Sequence, residues 1–121
     1  MTGERAFATV ARQPGRVTAT LAPDHAHALC AGHFPDDPLI PGSTLVGLAV
    51  DVAALLLNDD GGPRWQLSRM ERATFTAPAR PTARIDVIAV APDHDRGAVS
   101  VHIHSDGTPV AQARLRFAVT P

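Results

Sequence analysis

Two residues carry most of the chemistry this sequence can offer, His33 and Asp51. His33 lies in the run Gly32-His33-Phe34-Pro35-Asp36-Asp37-Pro38-Leu39-Ile40-Pro41-Gly42, whose last eight residues include three prolines and a glycine. Such a segment can be neither helix nor sheet ladder and must form a shaped loop. An imidazole held there titrates near neutral pH and suits proton abstraction. Asp51 is the only charged residue between Asp37 and Asp59. Its neighbours at helical spacing are Thr44, Leu48 and Leu55, so its surroundings are apolar. An unpaired carboxylate in such a place costs several kcal/mol or keeps its proton, which makes it a candidate acid. The alternative is an Asp51 paired across a subunit interface or bonded to a backbone group.

The elements that position these two residues follow from periodicity and turn chemistry. Residues 5–12 and 16–21 read as strands joined by Pro14-Gly15, with Val17, Ala19 and Leu21 on one face. Ser43 or Thr44 is the expected N-cap of a helix that runs to about Leu57 and stops in Asn58-Asp59-Asp60-Gly61-Gly62-Pro63. Leu45, Val46, Leu48, Val50, Val52, Leu55, Leu56 and Leu57 surround that helix, which predicts burial on every side. Residues 65–75, 84–91, 97–105 and 110–119 read as further strands, the last two joined at Ser105-Asp106-Gly107. One buried helix with five or six antiparallel strands requires a sheet that wraps it, the α+β hotdog fold. The runner-up is an α+β sandwich, whose helix would show a polar side. Residues 1–121 are expected to form a single hotdog domain.

The loop resembles the G-H-F-P-x-x-P-x-x-P-G signature of hotdog-fold 3-hydroxyacyl-acyl-carrier-protein dehydratases (FabZ/FabA-like), matching every fixed position. Ala73-Thr74-Phe75-Thr76-Ala77-Pro78 is similar to the A-R-F-x-x-P strand of that family, with threonine in place of arginine. The resemblance implies loss of water from a 3-hydroxyacyl thioester carried on phosphopantetheine, in fatty-acid or polyketide-type biosynthesis, without metal or organic cofactor. It makes His33 the base. The N–H groups near Gly42 and Ser43, at the positive end of the helix, would polarise the thioester carbonyl. Phe34, Pro41 and Gly47 complete the implied substrate site, and the apolar helix would line an acyl tunnel. An acyl carrier protein is the implied partner, with Arg72 and Arg80 as candidate docking residues for its acidic surface.

One position departs from the family. A catalytic Glu or Asp stands there on the helix, five residues after the glycine of the Pro-Gly pair, and here that position is Gly47. Asp51, one turn further on, is the candidate replacement, reaching back past a residue without a side chain. A second reading makes the chain a catalytically incomplete subunit that binds acyl carrier protein and pairs with another hotdog chain. A third is an acyl thioesterase. Family sites are built across a dimer, so a homodimer or a heterodimer is implied.

Composition narrows the remaining classes. A net charge of −1 gives no support for nucleic-acid or membrane-surface binding. All basic residues are arginine, which excludes a lysine Schiff base. The sole cysteine, Cys30, excludes an internal disulfide and a cysteine zinc cluster, and reads as a small buried residue. His25 with His27 and His102 with His104 are spaced to share strand faces but lack further ligands, so no metal is expected, and the second pair reads as part of a polar sheet face. The longest apolar run falls short of the ~20 residues of a membrane span, and a cytoplasmic protein is expected.

Overall fold

The computed structural model describes residues 7–22, 26, 28, 39–58, 61–92, 94, 95 and 97–120. His33, Phe34, Cys30, His25 and His27 lie outside the described residues. The elements run β1 (Phe7–Gln13), β2 (Arg16–Leu21), α1 (Gly42–Leu57), β3 (Trp65–Phe75), β4 (Ile85–Val90), β5 (Ala98–Ser105) and β6 (Thr108–Val119). The strands form one antiparallel sheet in the order β1-β2-β4-β5-β6-β3. The boundaries of β2 and β3 coincide with those read from the sequence, and the other elements agree within about two residues.

Local chemistry makes the two short hairpins. Gly15 has φ +72 and lies against the Ala91 carbonyl, where a side-chain carbon would come within 3.2 Å. Asp106 and Gly107 both have positive φ, 49 and 83, as a two-residue turn matched to strand twist requires. Alternation does the rest. Val17, Ala19, Leu21, Ile85, Val87, Ala89, Val99, Val101, Ile103, Leu115 and Phe117 are buried on the face that carries the helix. The helix rests chiefly on β4, then on β2, β3 and β5. This is the expected α+β hotdog architecture. His102 is exposed and lies opposite Ile88 and Gln112 on the other face, as the alternation with Val101 and Ile103 requires. Among the described residues no helix is long and apolar enough to cross a membrane.

Two expectations about the helix are corrected. It is not buried on every side: Leu45, Leu48, Ala49, Val52, Ala53 and Leu57 face the sheet, while Ser43, Gly47 and Asp51 are exposed. A single sheet covers one side and the flanks of a helix, so Val46, Val50, Ala54, Leu55 and Leu56 end half-buried and the far row stays open. The N-cap is Pro41, with no side-chain cap bond, rather than Ser43 or Thr44. The Pro41 carbonyl accepts the N–H groups of Thr44 and Leu45, both at 3.0 Å, which starts the helix before either hydroxyl can cap it.

At the other end, Asn58 joins the helix to β3. Its side-chain amide donates to the Trp65 carbonyl at 3.0 Å, and its side-chain carbonyl accepts the Trp65 N–H at 2.8 Å.

Candidate active site

The signature loop enters the described structure at Leu39. Ile40 is buried and donates its N–H to the Ala79 carbonyl at 2.8 Å, which fastens the end of the loop to the Pro78–Pro81 break. Pro41 then fixes the chain direction with φ −59 and ψ 146. Because its carbonyl serves Thr44 and Leu45, the N–H groups of Gly42 and Ser43 have no partner among the described residues. They are the first donors of a sixteen-residue helix with no acidic side chain in its first turn. An incoming carbonyl oxygen is the group they are suited to receive.

Phe75 forms a wall beside these donors, and the sequence reading did not single it out as a site residue. A carbon placed on Gly42 would lie 3.3 Å from two atoms of its ring, so the glycine lets the aromatic edge close on the helix start. The ring stays 50% exposed, which keeps it available to a ligand. The signal was present in Ala73-Thr74-Phe75-Thr76-Ala77-Pro78. The backbone just after it is held by the Thr76 N–H on the Val110 carbonyl at 2.9 Å.

Ser43, Gly47 and Asp51 are four residues apart and make one open row along the helix. Nothing lies within 4 Å of where a side chain on Gly47 would begin, so the room expected beside Asp51 is present. Asp51 is more accessible than its sequence neighbours predicted, because the sheet lies on the opposite side. The apolar helix surface still withholds water from it, and partial burial raises its pKa above the ordinary 3.8.

The two candidate docking arginines separate. Arg80 follows buried Ala79, whose carbonyl holds the loop, so it stands on the side of the helix start. Arg72 lies directly opposite Arg114 on the outer face, in a depression shared with Ser100, His102 and Gln112, across the sheet from the helix.

Solved structures with this fold are numerous. The chain superposes on a protein of the dehydratase heterocomplex ApeI:P from Xenorhabdus doucetiae with a TM-score of 0.74 and 18% identity, covering 93% of this chain and 96% of that one. The PaaI protein of the E. coli phenylacetic acid degradation operon gives a TM-score of 0.72 at 16% identity, over 93% of this chain and 79% of that one. A mutant thioesterase, PA1618 from Pseudomonas aeruginosa, gives 0.67 at 24% identity, over 92% and 78%. These likenesses establish the hotdog fold. No curated protein sequence matches the chain. The family model described as "ApeI-like: ApeI dehydratase" matches residues 9–114, most of the chain, and the protein belongs to that family of dehydratases.

Proposed function

We infer that the protein dehydrates a 3-hydroxyacyl thioester, delivered by an acyl carrier protein, to the trans-2-enoyl form. One observation carries this reading: the complete His33 signature leads into a helix whose first two N–H groups have no partner among the described residues. His33 removes the proton next to the thioester carbonyl. The Gly42 and Ser43 amides take up the negative charge that develops on the carbonyl oxygen. Asp51, whose pKa partial burial raises, donates a proton to the departing hydroxyl. Phe75 and the apolar helix hold the acyl chain, and Arg80 stands where an acidic carrier would approach.

Helix geometry constrains how these groups cooperate. Asp51 is nine residues beyond Gly42, about 13 Å along the axis. A carbonyl oxygen and a β-hydroxyl of one substrate are only a few bonds apart. The amides and the carboxyl of a single helix are therefore too far apart to serve one reacting unit, and this reading takes the acid from a second subunit.

The test is to supply the purified chain with a 3-hydroxybutyryl thioester and follow enoyl product and free thiol. Enoyl formation that disappears in His33→Ala supports the assignment. Thiol release without enoyl product would instead identify a thioesterase. A second reading has its own support in Gly47 and in the heterocomplex neighbour: an incomplete subunit whose carboxylate comes from a different hotdog chain. An active enzyme from this chain alone excludes it.

A further inference from the structure

The outer face of the sheet sets two arginine pairs side by side. On the paired strands β3 and β6, Arg69 lies directly opposite Arg116, and Arg72 directly opposite Arg114. Like charges in direct opposition on neighbouring strands destabilise a sheet. The first pair is neutralised within the chain. Arg69 bonds Glu71 at 3.0 Å. Arg116 makes two contacts of 3.0 Å to the Asp95 carboxylate, the fork that these two groups favour. The hydrogen bond from Arg116 holds the Asp95 carboxyl below its ordinary 3.8.

The second pair differs. Arg72 and Arg114 are exposed, and neither guanidinium has a carboxylate partner among the described residues. Glu71 and Asp95, which line the adjoining depression with Arg114, are held by Arg69 and Arg116. Asp86, further across the sheet, is held by Thr20 at 2.6 Å and by Arg84 at 3.2 Å. Around Arg72 and Arg114 the strands place hydrogen-bond donors instead. Ser100 on β5 lies opposite Arg114, and His102 lies opposite Gln112 in the next row. These five side chains line one depression of about 180 Å³. Sites that enclose a whole organic ligand run to roughly 300–1,000 Å³, so this one fits a headgroup.

We propose that this depression binds a phosphate monoester. Arg72 and Arg114 flank its dianionic head, and Ser100, His102 and Gln112 donate hydrogen bonds to its oxygens. Opposed side chains on neighbouring strands start about 4.5–5.5 Å apart, so one phosphoryl group reaches both guanidiniums. A carboxylate, with one charge and two oxygens, leaves one of the two arginines uncompensated. A phosphate monoester brings nearly two charges and three terminal oxygens. The bound dianion turns a repelling pair into a bridge between β3 and β6. The sheet lies between this depression and the helix. The site is therefore separate from the one at Gly42 and Phe75, and it does not depend on the dehydratase reading. Free phosphate and an organic monoester share this chemistry, and the choice of probes separates them.

Calorimetric titration of the full chain at fixed ionic strength tests it, with inorganic phosphate and methyl phosphate as probes. Both are expected to bind with a Kd of about 1 mM, and to raise the melting temperature as their concentration rises. Arg72→Gln and Arg114→Gln should each weaken binding by about tenfold or more, with the fold kept by circular dichroism. Arg16→Gln removes the same charge from the same face, at the far end of the row Arg16, Val90, Ser100, Arg114. It should bind phosphate as the parent does. Methyl phosphate that binds much more weakly than inorganic phosphate would overturn the monoester assignment. Acetate that binds as tightly as phosphate, an equal loss in Arg16→Gln, or a folded chain that binds no phosphate would overturn the site itself. So would an acidic carrier protein that binds through Arg72 and Arg114 where phosphate does not, which would make this face a protein interface.

Discussion

Along the helix, six residues rest on the sheet in the spacing 45, 48, 49, 52, 53 and 57, and all are within a few per cent of complete burial. The opposite row, Ser43, Gly47 and Asp51, is open, contains the helix's charge and has an empty place at its centre. The buried row is densely packed and contributes stability. The open row contributes little packing: its glycine weakens the helix, and its carboxyl is less readily ionised in the folded chain than in water. Features that cost stability in one row while the other is well packed are consistent with the proposal that the open row is the one used for chemistry.

The comparison is broken most severely from the buried side. Leu48→Ala should lower unfolding free energy by about 2–5 kcal/mol in a denaturant titration, since Leu48 is 4% exposed and its removal leaves a cavity. A loss below about 1 kcal/mol would mean that this row is not a packed core.

Asp51→Asn acts in the opposite sense. It should slow enoyl formation by about 100-fold without loss of stability. The folded state favours the protonated carboxyl, so ionisation of Asp51 costs stability as pH rises above 3.8 and through its raised pKa. The asparagine variant should therefore be slightly more stable than the parent at neutral pH, and equal to it at a pH low enough to protonate the aspartate. Melting curves at both pH values check the sign. An Asp51→Asn variant less stable than the parent at neutral pH would show that the ionised carboxylate has a stabilising partner.

Gly47→Glu, introduced together with Asp51→Asn, sharpens the contrast within the open row. The space at Gly47 admits a side chain, and a carboxylate there should recover about tenfold of the lost rate. No recovery would place the acid's point of action nearer Asp51. The smallest effect belongs to Gly47→Ala, which should raise stability by about 0.5–1 kcal/mol through helix propensity alone.

Much of this was legible in advance because it depends on near neighbours. Alternation located β2, β5 and β6, Asp106-Gly107 marked a hairpin, and the proline-rich run marked where the chain must leave regular structure before the helix. The helix start was less legible. Hydroxyls at Ser43 and Thr44 resemble caps in sequence, yet the Pro41 carbonyl captures two amides first. Phe75 was readable only as a strand residue, because its approach to Gly42 joins positions 33 residues apart.

Residue identity and short-range spacing were enough to say where helix and strands form, and that Gly47 stands where the resemblance expects a helix carboxylate. They could not say which row of the helix stays open or that β3 ends the sheet. Exposure and edge position depend on which distant segments lie opposite, β4 under the helix and β6 beside β3, and no local periodicity encodes that choice.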